Sequence, residues 1–162
     1  MLAAGVGCDT EDDWNKAATE EPFAQDRPAR GAGSPDQPTE FLRVTSQISP
    51  AQWLASLEQN GIADPAVSRV RAFNAALVQL SERYFEDPRM IANRTVQLQH
   101  MLSEEAINVD LMGILTGMER VDRAGPLRSY GELCSHYFNI RVGGRSHEET
   151  VTTLVKIRGG ES

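Results

Sequence analysis

Apolar residues recur at helical spacing through the middle of the chain, and each helical run begins with a capping signal. The first signal is Ser49-Pro50, a hydroxyl N-cap followed by proline at the first helical position. Gln52 stands where it can complete a capping box, and Gly61 follows as a left-handed stop. This pattern predicts a short helix from about residue 50 to residue 59.

A longer helix is predicted to begin at the next capping signal. Asp64-Pro65 opens it, and it is predicted to end near Glu86. Its apolar residues are three or four positions apart, as in a helix that packs along its length: Val70, Phe73, Leu77, Leu80 and Tyr84.

A third helix is predicted to begin at Asp87-Pro88, directly after Glu86. Its apolar residues also keep helical spacing: Ile91, Leu98, Met101, Leu102, Val109 and Met112. The short junction favours an antiparallel hairpin with the second helix, and a bent, nearly continuous rod is the alternative. The predicted helical pair extends to about Gly117.

The second half of the third helix is apolar over much of its circumference. Residues 106–118 carry the apolar side chains Ile107, Val109, Leu111, Met112, Ile114, Leu115 and Met118. Either this stretch lies between several neighbours in its own fold, or a second face binds another chain. Gly117 is interpreted as the end of the helix. For Gly113, a close helix crossing and a tolerated defect costing about 1 kcal/mol relative to alanine are equally favoured.

The pattern changes beyond residue 126. Residues 137–142 alternate between apolar and polar and end at Gly143, which indicates a strand, while residues 130–136 fit a helical turn. A last apolar run follows Ser146. Because Ser146 and Glu149 form a second capping box, a helix is favoured over a strand there.

Acidic residues are concentrated in the first 40 positions. Nine acidic and three basic residues there give a net charge of −6, nearly the whole of the chain's −7. This stretch has four prolines and few large apolar residues, so it cannot bury enough apolar surface to offset chain entropy. The sequence therefore predicts a mainly α protein. Its parts are a disordered acidic leader (1–48), a core built on the helical hairpin (49–122) and a short mixed segment ending in a helix (123–162).

Composition also limits the classes of function. The remaining 122 residues are nearly neutral, whereas a nucleic-acid-binding protein needs a concentrated basic face. The apolar stretch 106–118 is too short to cross a bilayer as a helix. No glycine-rich loop follows a strand, so no cofactor is predicted, and neither nucleic acid nor a small-molecule substrate is expected as a partner.

The cluster richest in metal-type or nucleophilic side chains lies near the C-terminus. It comprises Cys134, His136 and His147 with Glu148 and Glu149. Zinc would need a fourth ligand at a familiar spacing, and neither a second cysteine pair nor a His-x-x-x-His motif supplies one. A Cys-His hydrolase has as little support. A partly buried cysteine is the simpler explanation, and the sequence predicts no enzyme and no metal site.

Two segments of the helical pair resemble the inner-rod proteins of bacterial type III secretion systems. The segments are MIANRTVQLQHM at 90–101 and NVDL at 108–111, and TLVK at 153–156 is similar to the pattern that ends the last helix in that family. The resemblance implies a structural subunit exported without a Sec signal to the periplasmic or cell-surface part of the apparatus. It also implies a homo-oligomer, with the basal body, export apparatus and needle as partners.

The predicted self-association surface follows from this resemblance and from the apolar stretch. It comprises Leu98, Met101, Leu102, Ile107, Val109, Leu111, Met112, Gly113, Ile114, Leu115, Leu154 and Val155. The alternative function is a small helical adaptor or chaperone-like module, whose helical pair binds a helix of another protein in a groove. An enzyme that uses Cys134 and His136 is a third and weaker hypothesis.

Overall fold

The structure is a computed structural model that describes residues 41–60, 65–121 and 128–159, all in one compact unit. These residues form six helices: α1 (Pro50–Glu58), α2 (Val67–Ser81), α3 (Pro88–Glu104), α4 (Leu111–Val121), α5 (Tyr130–Val142) and α6 (His147–Gly159). No strand occurs within the described ranges, and the predicted mainly α fold is confirmed. Of the predicted disordered leader (1–48), residues 1–40 lie outside these ranges and residues 41–48 lie within them.

Side-chain caps determine the starts of α1 and α3 as predicted. Ser49 Oγ accepts from the Gln52 amide at 3.2 Å, and Gln52 Oε1 accepts from the Ser49 amide at 2.9 Å, which completes the capping box. Asp87 Oδ1 accepts from the Met90 amide at 2.8 Å, with Pro88 in the first turn. Local sequence is therefore sufficient to start both helices.

Helix α2 is shorter than predicted at both ends. Its N-cap is Ala66, which makes no side-chain hydrogen bond, and the predicted cap Asp64 lies outside the described residues. The helix ends at Ser81, so residues 82–87 form the connection to α3. Because α2 and α3 pack against each other across this short connection, they form a hairpin rather than a continuous rod.

The predicted third helix is interrupted, so residues 106–118 are not one helical stretch. Beyond the end of α3, Ala106 adopts a left-handed conformation with a φ of 58°. The Ala106 amide donates to the Ser103 carbonyl at 3.0 Å, and the Ile107 amide donates to the Leu102 carbonyl at 2.8 Å. These are the paired bonds of a Schellman motif. The prediction was wrong because an alanine occupies the left-handed position that glycine usually marks.

Helix α5 occupies the segment for which a strand was predicted. Ser129 Oγ accepts from the Glu132 amide at 3.3 Å and caps the helix. Its buried residues share one helical face: Tyr130, Leu133, Cys134 and Tyr137. The strand prediction for residues 137–142 was wrong because a short alternating run also fits the end of a helix whose buried face lies mainly upstream.

The last helix, α6, begins at the predicted capping box. Ser146 Oγ accepts from the Glu149 amide at 3.3 Å, and the Glu149 carboxylate accepts from the Ser146 amide at 2.8 Å. Glu148 and Glu149 stand in the first turn, and Lys156 and Arg158 stand in the last. This charge arrangement complements the helix dipole and stabilises α6. The helix that the sequence favours over a strand is therefore the element that forms here.

The helices pack around one apolar core. Helix α2 contacts α1, α3 and α4, and α3 also contacts α1, α4 and α5. Helix α6 packs against α4 and α5. Because α4 has three neighbours, its Leu111, Ile114 and Leu115 are at most 1% exposed. The apolar side chains of α4 are thus covered largely by the chain's own fold, which is the first of the two predicted alternatives.

A carboxylate in the α2–α3 connection caps α5 from far away in the sequence. Glu86 accepts hydrogen bonds from the Ser129 hydroxyl at 2.9 Å, the Tyr130 amide at 2.9 Å and the Gly131 amide at 3.1 Å. Burial opposes the charged form, but these hydrogen bonds outweigh it and lower the pKa of Glu86. The negative charge also complements the positive end of α5. The contact fastens the α2–α3 connection to α5.

An amide side chain holds the first described segment to α3. Asn93 Oδ1 accepts from the Leu42 amide at 2.7 Å, and Asn93 Nδ2 donates to the Leu42 carbonyl at 3.0 Å. Leu42 itself is only 3% exposed. Both backbone polar groups of this buried residue are therefore satisfied by one side chain.

Candidate binding cleft

A concave site of about 620 Å³ lies beside the break between α3 and α4. We name it the main cleft, and its lining residues are Gln99, His100, Ser103, Ile107, Asn108, Val109, Asp110, Gly113, Arg141 and His147. They come from the end of α3, the connection to α4, the start of α4 and the junction of α5 with α6. His100, Ser103, Asn108 and Asp110 are exposed, so the cleft is open along this rim.

Two side chains fix the α3–α4 connection that forms part of the cleft. Gln99 Nε2 donates to the Val109 carbonyl at 2.9 Å. Asp110 Oδ1 accepts from the Gly113 amide at 2.7 Å, so Asp110 caps the first turn of α4. Asp110, the acidic residue of the lining, therefore accepts a hydrogen bond from the helix that it caps.

An imidazole from the first turn of α6 lines the cleft and is held by a tyrosine of α5. The Tyr137 hydroxyl lies 2.7 Å from His147 Nδ1. Burial raises the pKa of Tyr137 to about 12, so the hydroxyl keeps its proton at neutral pH. Burial, assisted by Arg141 and Arg120, lowers the pKa of His147 against the opposing effects of Glu148 and Asp110. The cleft thus contains a fixed, uncharged imidazole at neutral pH.

Gly117 of α4 has no side chain, and this leaves room for the His147 imidazole. A Cβ at Gly117 would lie 2.8 Å from His147 Cε1 and 3.1 Å from Val151 Cγ2. The glycine lies inside α4, with four more helical residues after it. The interpretation of Gly117 as the end of a helix was therefore wrong. At Gly113 a Cβ would meet Asp110 Oδ2 at 2.9 Å, so the missing side chain there leaves room for the cap of α4.

Arg141 supplies the positive charge of the lining. Its Nη1 donates to the Arg145 carbonyl at 2.5 Å. Its Nε is buried and has no hydrogen-bond partner, and the side chain forms no ion pair with any residue that the structure describes. The guanidinium is near enough to lower the pKa values of Tyr137 and His147. A partly buried cation without a carboxylate partner therefore lines the cleft.

Half of the predicted self-association residues lie in the chain's own core. The buried ones are Leu98, Leu102, Leu111, Ile114, Leu115 and Leu154. The partly buried ones are Met101, Ile107, Val109, Met112 and Gly113. Val155 is 40% exposed, and Ile107, Val109 and Gly113 line the main cleft. The six core residues cannot contact a second chain while the protein is folded.

The predicted cluster of chemically active side chains is divided between different parts of the fold. Cys134 lines a smaller cavity of about 170 Å³, whereas His147 lines the main cleft. His136 is exposed and lies 3.6 Å from Glu132 on its own helix. Burial raises the pKa of the Cys134 thiol to about 12, which suppresses the reactive thiolate. Within the described parts of the chain, no group of three or more metal-type side chains is found.

The sequence identified His147 as a chemically active residue and placed three apolar or small lining residues in the predicted self-association surface, but it did not mark Arg141, Tyr137 or Asp110. Arg141 and Tyr137 were assigned to a strand, and Asp110 was placed inside a continuous helix. The capping box at Ser146 was the available signal, because it places His147 in the first turn of α6, where its side chain can reach back toward α5. The convergence of Arg141, Tyr137 and His147 depends on how α4, α5 and α6 pack.

The six helices of the described residues define a mainly helical protein with an open cleft beside the break between α3 and α4. None of the described helices is long and apolar enough to span a membrane. A family model described as MoxZ matches residues 51–159, and the chain belongs to this MoxZ family. The Protein MoxZ of Paracoccus denitrificans is 29% identical over 158 residues, covering 96% of this chain and 86% of that protein. No solved structure matches the chain.

The predicted inner-rod identity is wrong, because the MoxZ match extends over all six helices. The type III secretion function, the homo-oligomer and the secretion partners that followed from it are corrected with it. Residues of the resembling segment instead serve this fold: Asn93 binds the Leu42 backbone, Thr95 hydrogen-bonds Tyr130, and Gln99 binds the Val109 carbonyl. Export without a Sec signal remains an untested prediction.

Proposed function

We propose that this chain is a non-catalytic binding protein that serves methanol oxidation, the process suggested by its family, by holding a segment of a partner protein in the main cleft. The observation that carries the proposal is the open cleft of about 620 Å³. Sites for small ligands bury most of the ligand's surface. A cleft with four exposed residues along its rim suits an extended chain segment better.

The chemistry of the described side chains supports a binding role over a catalytic one. The Cys134 thiol is buried with a raised pKa, so it is a poor nucleophile. His147 has Nδ1 engaged by Tyr137, and Asp110 is engaged as a helix cap. No nucleophile is therefore paired with a base in the cleft, as covalent catalysis would require.

Site-specific photo-crosslinking tests the proposal in methanol-oxidising cells that produce the full chain. A photo-reactive phenylalanine replaces Ser103, an exposed residue of the cleft rim, and in a second strain it replaces Ser68, an exposed residue of α2 outside the lining. We expect a crosslink to a component of methanol oxidation from position 103 and none from position 68. Absence of that crosslink, or the same crosslink from both positions, would contradict the proposal.

A further inference from the structure

The geometry points to a carboxylate as the group by which the partner is anchored, with the guanidinium of Arg141 as its receptor. This inference rests on the proposed function, since it names the chemistry that the main cleft recognises. Arg141 belongs to the lining, and its Nη1 donates to the Arg145 carbonyl. Its Nε is buried without an acceptor, and its Nη2 makes no hydrogen bond within the described residues, so the end of the guanidinium is the part left for a ligand. A guanidinium presents paired N–H donors that match the two oxygens of a carboxylate.

Among the described residues, the neighbouring acidic groups form no ion pair with Arg141. Asp110 caps α4 through the Gly113 amide at 2.7 Å. Glu148 lies beside His147, but both of its carboxylate oxygens accept from Arg120 Nη1 at 2.9 Å. A partly buried charge without a counter-ion is costly, and an anionic ligand would remove that cost.

The charge of the lining favours a carboxylate over a phosphate. Arg141 is the sole arginine or lysine among the described lining residues. Burial and its neighbours lower the pKa of His147, so this imidazole does not supply a second positive charge at neutral pH. A phosphate carries close to two negative charges and is usually held by several donors or cations. One guanidinium, in a lining that also holds the Asp110 carboxylate, suits a singly charged ligand better than a doubly charged one.

The experiment follows the Arg141 Nε–H resonance of the full-length protein by ¹⁵N NMR during titration with matched probes. Acetyl-alanyl-leucine with a free carboxyl end is compared with the same dipeptide carrying a terminal amide, and butyrate is compared with butyramide. Arg141→Lys identifies the resonance and removes the paired donors. Arg145→Lys is the matched control, because Arg145 is exposed and contributes only its backbone carbonyl.

We expect both carboxylate probes to shift the Arg141 resonance and to bind at least about tenfold more tightly than their amides. Arg141→Lys should lose this preference, and Arg145→Lys should keep it. Tighter binding of the dipeptide acid than of butyrate supports a protein carboxylate, whereas equal affinity for butyrate indicates a free organic acid and overturns the anchoring of a protein partner. Equal binding of acids and amides, or no response from the Arg141 resonance, overturns the inference. The photo-crosslink from position 103 tests the proposed function separately, so failure of the carboxylate inference would not by itself contradict that function.

Discussion

We expect Glu86→Gln to destabilise the protein by about 2 kcal/mol at neutral pH. The carboxylate accepts from the Ser129 hydroxyl and from the Tyr130 and Gly131 amides, at 2.9–3.1 Å. Glutamine keeps one acceptor oxygen but turns an NH₂ group toward these donors. Hydrogen bonds to charged groups contribute about 1.5–3 kcal/mol, and a charge at a helix end adds about 0.3–1 kcal/mol. Because glutamine can still accept some of these hydrogen bonds, the expected loss of stability lies near the lower end of the sum of these two contributions.

The stability gap between the wild type and this variant should also depend on pH in one direction. The pKa of Glu86 in the folded protein is lower than its ordinary value of 4.5. Its stabilisation is therefore fully present above about pH 4.5 and is lost as the pH falls through the lowered pKa of the folded state. Glutamine does not titrate, so acidification should narrow the gap.

Urea unfolding followed by circular dichroism, at steps between about pH 7 and pH 3, measures this gap as a difference in free energy of unfolding. Glu82→Gln is the matched control, because Glu82 is exposed in the same connection and its carboxylate makes no hydrogen bond or ion pair within the described structure. We expect the control to change stability by less than about 0.5 kcal/mol. An equal loss in both variants, or a gap that persists unchanged at low pH, would refute the reasoning.

Three further outcomes follow from the packing, and each has its own measurement. Gly117→Ala should lower the thermal unfolding midpoint, because its Cβ would meet His147 at 2.8 Å. Gly131→Ala is the control: the nearest atom to its Cβ would be 3.6 Å away, so the midpoint should stay unchanged or rise. Similar shifts of the midpoint in both variants would contradict this prediction. Leu115→Ala should cost about 2–5 kcal/mol in urea unfolding, and a loss below about 1 kcal/mol would show a looser core. In the folded protein, Cys134 should resist a thiol reagent at about pH 8 until urea is added. Peptide mapping separates its labelling from that of Cys8, and rapid labelling of Cys134 without urea would contradict its burial.

Helix starts were predictable where the capping residue and the capped amide lie within one turn. Ser49, Asp87 and Ser146 all cap helices as the sequence indicated. For α5 a helical turn was predicted over residues 130–136, but its caps were not predicted, because Ser129 was not identified as the local cap and Glu86 contributes from 43 to 45 residues earlier. The break at Ala106 was missed because a left-handed alanine has no distinctive signal in a single sequence.

The cleft was less predictable than the fold because it depends on tertiary packing. The apolar stretch after residue 106 was recognised, but sequence alone does not say whether neighbouring helices or another chain covers it. The Tyr137–His147 contact joins two helices across a bend, and Arg141 reaches the cleft from the end of α5. A strand through residues 137–142 would also have kept Tyr137 and Arg141 on one face, so only the packing of α5 against α6 explains why both meet His147.

The paired hydrogen bonds between Asn93 and Leu42 show that residues upstream of the first helix belong to the folded unit. A shortened chain that begins at residue 41 keeps this connection complete. One that begins at Ser49, where the first helix cap stands, leaves the Asn93 amide without its backbone partner and uncovers the core surface on which Leu42 lies. A fusion joined directly at residue 41 would meet the protein beside α3, next to the Asn93 side chain.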